Sequence, residues 1–201
     1  METIETPHGE ARAHITAPDG PPRGLLVLGH GAGGGVGARD LQAAADAASA
    51  AGFSVALVEQ PWRVEGRKVA VAPERLDVAW AAVLADPQLK AVLHPRGGRL
   101  VVGGRSAGAR VACRTAADTG AVGLLCLAFP LHPPGRPESS RLEELDGVQV
   151  PVLVVQGKSD PFGMPPAGPG RVVVTVAGNH SLTSDLEAVR SAVAQWLAQV
   201  R

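Results

Sequence analysis

Gly104-Arg105-Ser106-Ala107-Gly108 sets a serine between two glycines, directly after the apolar run Leu100 to Gly103 and directly before a segment of helical period. A serine hydroxyl does acyl chemistry only when the backbone exposes it and a neighbouring base takes its proton. A strand, a sharp turn and a helix give that exposure, and the helix N-terminus faces the charge that develops on the substrate. The flanking glycines keep Cβ atoms out of the tightest part of the turn. In a chain with 25 glycines the motif alone is weak, and a capping serine at a glycine-rich helix start is the simpler reading. Its weight comes from the strand before it and the helix after it.

A base and an orienting acid must follow. Asp160 lies in Gly157-Lys158-Ser159-Asp160-Pro161 after one apolar strand pattern, and His180 lies in Ala177-Gly178-Asn179-His180-Ser181 after another. Both fall at the carboxyl ends of strands, the edge where open α/β sheets place their sites. Asp160 could instead be a turn former and His180 a helix-entry residue. Asp146 is a rival acid, but a further strand separates it from the required position. His94 and His132 are rival bases, yet both precede Asp160 and would reverse the order serine, acid, histidine.

Acyl transfer also calls for two backbone N–H groups facing the oxyanion. Ala107, next to the serine, is one candidate donor. The other belongs to the loop His30-Gly31-Ala32-Gly33-Gly34-Gly35, where Ala32 is favoured and Gly31 is second. A phosphate-cradling loop would read differently, because the spacing is not G-x-G-x-x-G and no Lys-Ser/Thr pair follows.

The elements that must hold these groups alternate in the manner of an α/β domain with a mostly parallel sheet. Strands are expected at Gly24 to Leu28, Ser54 to Val58, Leu100 to Gly103, Gly123 to Phe129, Val152 to Gln156 and Val172 to Val176, nearly all apolar as doubly covered strands should be. Helices are expected at Arg39 to Ala51, Pro73 to Ala85 and Ala107 to Thr119. A last helix follows a Ser184-x-x-Glu187 capping box, with Leu186, Val189, Val193, Trp196, Leu197 and Val200 along one side. The first twenty residues carry a weaker pattern compatible with an antiparallel pair. No repeat or linker divides the 201 residues, so one domain is expected.

Composition removes several classes of protein. Nineteen Lys+Arg balance nineteen Asp+Glu, so no long-range field draws the chain to nucleic acid or to an anionic membrane. Apolar runs such as Leu124 to Phe129 fall far short of the ~20 residues needed to cross a bilayer. Met1 to Glu10 carries acids and a proline where a secretory signal would be basic and then apolar, which points to a cytoplasmic location. Cys113 and Cys126 lack the spacing of a zinc site and read as small core residues.

With these pieces in order, the sequence resembles the α/β-hydrolase superfamily. More narrowly, it resembles the small dienelactone-hydrolase-related group that includes hydrolase-like domains of a nonspecific-lethal chromatin-complex subunit and of a testis-expressed protein. The resemblance is carried by Gly29 to Gly33, Gly103 to Gly108, Phe129 to Gly135, the Gly157 to Asp160 turn and Gly178 to Ser181. It implies a three-layer α/β/α sandwich with Ser106 as nucleophile, Asp160 as acid and His180 as base. The short stretch between Phe129 and Val152 implies an absent or minimal cap, with His132 and Arg63 as candidate pocket-rim residues. Arg105 reads as a packing or ion-pair residue, and Arg110 and Arg114 as a solvated face.

The expected function is cleavage of a small carboxylic ester or related acyl compound, with neither metal nor organic cofactor. The expected partner is a small acyl substrate and neither nucleic acid nor a membrane; no pattern specifies an oligomeric state. A non-catalytic interaction module on the same fold is the alternative from another class. An acyltransferase or perhydrolase would use the same residues with a different acceptor.

Overall fold

The computed structural model describes residues 1–93 and 98–200; His94 lies outside them. Its centre is an eight-stranded sheet of β1 (Glu2–Thr6), β2 (Gly9–Thr16), β3 (Gly24–Gly29), β4 (Phe53–Glu59), β5 (Arg99–Arg105), β6 (Gly123–Leu127), β7 (Val152–Gly157) and β8 (Arg171–Val176). Their spatial order is β1-β2-β4-β3-β5-β6-β7-β8. The weak amino-terminal pattern does form an antiparallel hairpin, and β2 joins β4 antiparallel; every later pairing is parallel.

The seven helices among the described residues are α1 (Arg39–Ala50), α2 (Pro61–Val64), α3 (Pro73–Ala85), α4 (Pro87–Leu93), α5 (Ala107–Thr115), α6 (Leu142–Asp146) and α7 (Leu186–Leu197). Helices α1 and α7 bury Leu41, Val189, Val193 and Leu197 against one face of the sheet with Leu26, Val101 and Leu153. Helices α3, α5 and α6 bury Trp80, Val111 and Leu145 against the other with Val27, Val102 and Val154. The result is the three-layer α/β/α sandwich, and among the described residues no helical cap covers the carboxyl edge of the strands.

Several boundaries differ from the sequence expectation for identifiable reasons. Strand β6 stops at Leu127 because Ala128 turns to φ 50°. Helix α5 ends at Thr115 and tightens into a 3-10 turn over Ala116–Asp118. The cap of α7 is Asp185, whose carboxylate accepts the Ala188 N–H at 3.0 Å, and not Ser184. Strand β8 is an edge strand with Val172 exposed, so it is not covered on both faces. The short helices α2, α4 and α6 are too brief to leave a periodic signal.

Arg110 and Arg114 are not a solvated face. Arg110 grips Glu144 through Nε at 2.9 Å and a terminal nitrogen at 2.5 Å. Arg114 binds Asp77 at 2.6 and 2.8 Å and also reaches Glu144 at 3.2 Å. These partly buried pairs tie α5 to α3 and α6. The two cysteines are buried thiols with sulfurs 3.7 Å apart, in keeping with a core role.

Backbone packs against backbone without room for a side chain where α5 starts. A Cβ at Gly104 would stand 2.5 Å from the Gly29 carbonyl oxygen and 2.7 Å from the Gly108 carbonyl carbon. Backbone cannot yield as a side chain can, so Gly104→Ala should cost about 3 kcal/mol, the upper end of the overpacking range. Urea denaturation of the variant and the parent measures this directly, and an unchanged midpoint would contradict the packing.

Candidate active site

The turn from β5 to α5 holds Ser106 at φ 52° and ψ −111°, one of three non-glycine residues with positive φ among those described. Such a backbone costs of order 1–3 kcal/mol and persists only where its surroundings hold it. Here the Ser106 N–H donates to the Leu127 carbonyl at 2.9 Å, pinning the turn to the end of β6. The serine side chain therefore projects from the turn and not from the wall of a helix.

Loops after β7 and β8 bring the other two residues to it. The Ser106 hydroxyl lies 2.9 Å from His180 Nε2, and His180 Nδ1 lies 2.8 Å from Asp160 Oδ2. Asp160 is nearly sealed from solvent, with 1% of its side chain exposed, while His180 retains 17%. The Phe162 N–H donates to Asp160 Oδ1 at 2.9 Å, and the Gln156 amide donates to Oδ2 at 2.8 Å. A carboxylate so held accepts the Nδ1–H of His180 and leaves Nε2 as the acceptor facing the serine. The Phe162 ring lies against the imidazole, with centroids 4.2 Å apart.

Gln156 and Phe162 are residues of the candidate site that the sequence reading passed over. A glutamine in the otherwise apolar Val152-Leu153-Val154-Val155 strand was the available signal. It is fully buried and its amide also reaches the Phe129 and Gly163 carbonyls at 3.1 and 2.9 Å.

The loop after β3 crosses above the serine. A Cβ at Gly31 would stand 3.4 Å from Ser106 Cβ and 2.7 Å from an Arg105 guanidinium nitrogen. Buried His30 sets the loop's path: its Nδ1–H donates to the Gly31 carbonyl at 2.9 Å, and its Nε2 accepts the Gln60 N–H at 3.3 Å. Burial lowers the His30 pKa, opposed by the Gly31 carbonyl, so the ring sits in its neutral form. Ala32 and Ala107 both line the cavity around Ser106, and among the described residues neither N–H donates within the chain. Gly31 lies behind the wall and does not line it.

Arg105 joins the loops together. Its Nε donates to Asp40 Oδ2 at 2.6 Å, and a terminal nitrogen donates to the His180 carbonyl at 3.0 Å. Asp40 is 1% exposed at the start of α1; burial raises its pKa, against the pull of the Arg105 cation. The carbonyl of the candidate base is thus fixed to the residue beside the candidate nucleophile.

The cavity over Ser106 has a volume of about 610 Å³ and opens at the carboxyl edge of the sheet. His132 and Arg63, expected at its rim, do not line it. His132 instead donates from Nδ1 to the Pro133 carbonyl at 2.9 Å and packs beside Gly163, and Arg63 lies alongside Gly35. Arg39 and Arg141 stand in the wall in their place. No group of three or more His, Cys, Asp or Glu suited to a metal ion occurs among the described residues, nor does a helix long and apolar enough to cross a membrane.

With this geometry in view, the similarity to known proteins becomes decisive for kinship. Residues 22–188 match the model of the alpha/beta hydrolase domain family. The chain belongs to that family. Solved structures agree in fold. An alpha-beta serine hydrolase homologue from Coxiella burnetii superposes with a TM-score of 0.76 at 19% identity, covering 98% of this chain and 96% of that one. A serine hydrolase without a lid from Xanthomonas campestris gives 0.78 at 20% identity over 98% and 93%. Est1E from Butyrivibrio proteoclasticus, with ferulic acid bound, gives 0.79 at 17% identity over 100% and 99%. The fold is that of serine hydrolases and esterases.

Two variants test the polar supports of this alpha/beta hydrolase site. Because His30 is held neutral with a lowered pKa, its contribution to stability is complete above about 6.5 and is lost as pH falls toward the lowered value. His30→Asn keeps a donor for Gly31 and should flatten the decline in melting temperature between pH 7 and pH 5. Arg105→Met leaves buried Asp40 without its cation and should cost about 3 kcal/mol at neutral pH. The raised Asp40 pKa makes that loss shrink in acid, where the carboxyl takes up a proton. Denaturation curves at pH 5 and pH 8 separate the two trends.

Proposed function

We propose that this alpha/beta hydrolase is a serine hydrolase that cleaves a small carboxylic ester or a related acyl compound through an acyl-enzyme intermediate. The observation that carries the reading is the unbroken hydrogen-bonded line from the Ser106 hydroxyl through His180 to Asp160, opening on a cavity that no helix among the described residues caps.

In this reading His180 Nε2 takes the Ser106 proton as Oγ bonds to the substrate carbonyl carbon. The carbonyl electrons move onto oxygen, where the Ala107 and Ala32 N–H groups receive the charge. One such donor is typically worth about 3 kcal/mol in the transition state. Asp160 holds the imidazole orientation and favours the imidazolium that forms. Collapse expels the alcohol, which takes the proton from Nε2. A water molecule then repeats the sequence and releases the carboxylic acid and free Ser106.

The strained serine backbone supports the same reading, since a structural serine gains nothing from φ 52°. An open cavity suits small or protruding esters better than long buried chains. The proposed kinship with the narrower dienelactone-hydrolase-related group rests on the order of the five motifs.

Ser106→Ala should abolish labelling by a fluorophosphonate and reduce turnover of short nitrophenyl esters by about 10³-fold or more, with the melting curve retained. A folded parent protein that takes up no phosphonate would favour a binding module instead. A product formed faster with an added alcohol or peroxide than with water would favour an acyltransferase or perhydrolase. Because His180 acts as a base only when neutral, turnover should decline on acidification; a flat profile with chemistry limiting would count against that role.

A further inference from the structure

The charges around the cavity do not cancel. Four arginines line it: Arg39, Arg105, Arg110 and Arg141. Arg105 is matched by Asp40, and Arg110 together with Arg114 is matched by Glu144 and Asp77. Arg141 and Arg39 have no carboxylate partner among the described residues. They enter from opposite faces of the sheet: Arg39 opens α1, on the face shared with α7, and Arg141 precedes α6, on the face shared with α3 and α5.

Arg141 is the better placed of the two. It is half-buried, whereas Arg39 is exposed. One terminal nitrogen donates to the Pro130 carbonyl at 2.9 Å, which anchors the guanidinium to a second cavity residue. That bond uses one of five N–H donors, and among the described residues the rest of the planar fork has no protein acceptor. Burial lowers the Arg141 pKa, and nearby Arg110 and Arg136 lower it further against the opposing pull of Glu144. A half-buried cation in cationic company is an unfavourable arrangement that an arriving anion relieves.

We propose that Arg141, assisted by Arg39, binds a carboxylate on the substrate, so that the preferred substrates of the Ser106 site are acyl compounds bearing a second, anionic carboxylate. This rests on the serine-hydrolase reading for its catalytic consequence, while the anion site itself stands on the arginine geometry. A planar guanidinium takes a carboxylate through two parallel N–H bonds, which fixes orientation as well as position. The overall neutrality of the chain makes the preference local to this cavity.

The test compares matched esters that differ by one charge. On the acyl side these are 4-nitrophenyl hydrogen adipate and its methyl ester; on the leaving-group side, 4-acetoxybenzoate and its methyl ester. In at least one pair the anionic ester should be preferred in kcat/KM by about tenfold or more, the scale of one charge-assisted contact. Arg141→Gln should collapse that ratio toward one, Arg141→Lys should restore part of it, and remote Arg190→Gln should leave it in place. Added salt at 0.5 M should compress the parental ratio.

Calorimetric titration of adipate into the Ser106→Ala protein reads the anion site without turnover, and Arg141→Gln in that background should weaken binding by about tenfold. Turnover of the neutral esters without an anionic preference in either pair would overturn the proposal and leave the serine-hydrolase reading intact. No turnover and no phosphonate labelling would defeat that reading; the adipate titration would then decide the anion site alone, and no Arg141-dependent binding would overturn it.

Discussion

The backbone of Ser106 is held at φ 52° between a strand and a helix that nearly touch, and the remaining features of the site are arranged around that contact. Gly104 and Gly108 face the Gly29 and His30 carbonyls so closely that no Cβ fits at either position. The start of α5 can therefore press against the end of β3, which brings the Gly31–Ala32 loop over the serine. With a larger residue at either glycine, helix and loop would separate, and Ala32 and Ala107, which line the cavity with Ser106, would move apart. A strain of order 1–3 kcal/mol is carried by the buried central strands β3, β5 and β6 and by the bond from Ser106 to Leu127.

Around the elbow, buried polar side chains reach across between loops. Arg105 links Asp40 at the start of α1 to the carbonyl of His180. Gln156 links Asp160 to the loop at Gly163, and His30 links Gly31 to Gln60. Three loops that emerge from different strands are thereby fixed relative to one another by hydrogen bonds that water cannot readily replace. Ordering of this kind serves a site that must present groups before a ligand arrives, because reorganisation at that moment would cost free energy. The same economy explains why Arg141 stands out: it is a half-buried cation that the network does not neutralise.

Much of this was legible in the chain because it is local. A strand run, Gly-x-Ser-x-Gly and a helical period occur within twenty residues, and the Asp160 and His180 turns each follow directly on a β-rich stretch. The parallel core strands, α1, α3 and the stripe of α7 follow from apolar periodicity that two-sided burial imposes. The narrower errors came where periodicity is short or interrupted. Ala128 leaves the strand although its neighbours are apolar, Asp185 caps α7 although Ser184 precedes Glu187 at the standard spacing, and α6 spans only Leu142–Asp146.

What the sequence by itself determined is the series of elements and the order in which Ser106, Asp160 and His180 occur along them, since both depend on residues close together in the chain. What only the tertiary structure decided is the electrostatic state of the cavity. Arg105 meets Asp40 across 65 positions, Arg110 meets Glu144 across 34, and His132 and Arg63 turn away from the wall that Arg141 and Arg39 occupy. Charge pairing depends on distance in space, which falls off over a few ångströms and leaves no period in the sequence. The identity of the uncompensated arginines therefore appeared only once the strands had set the loops side by side.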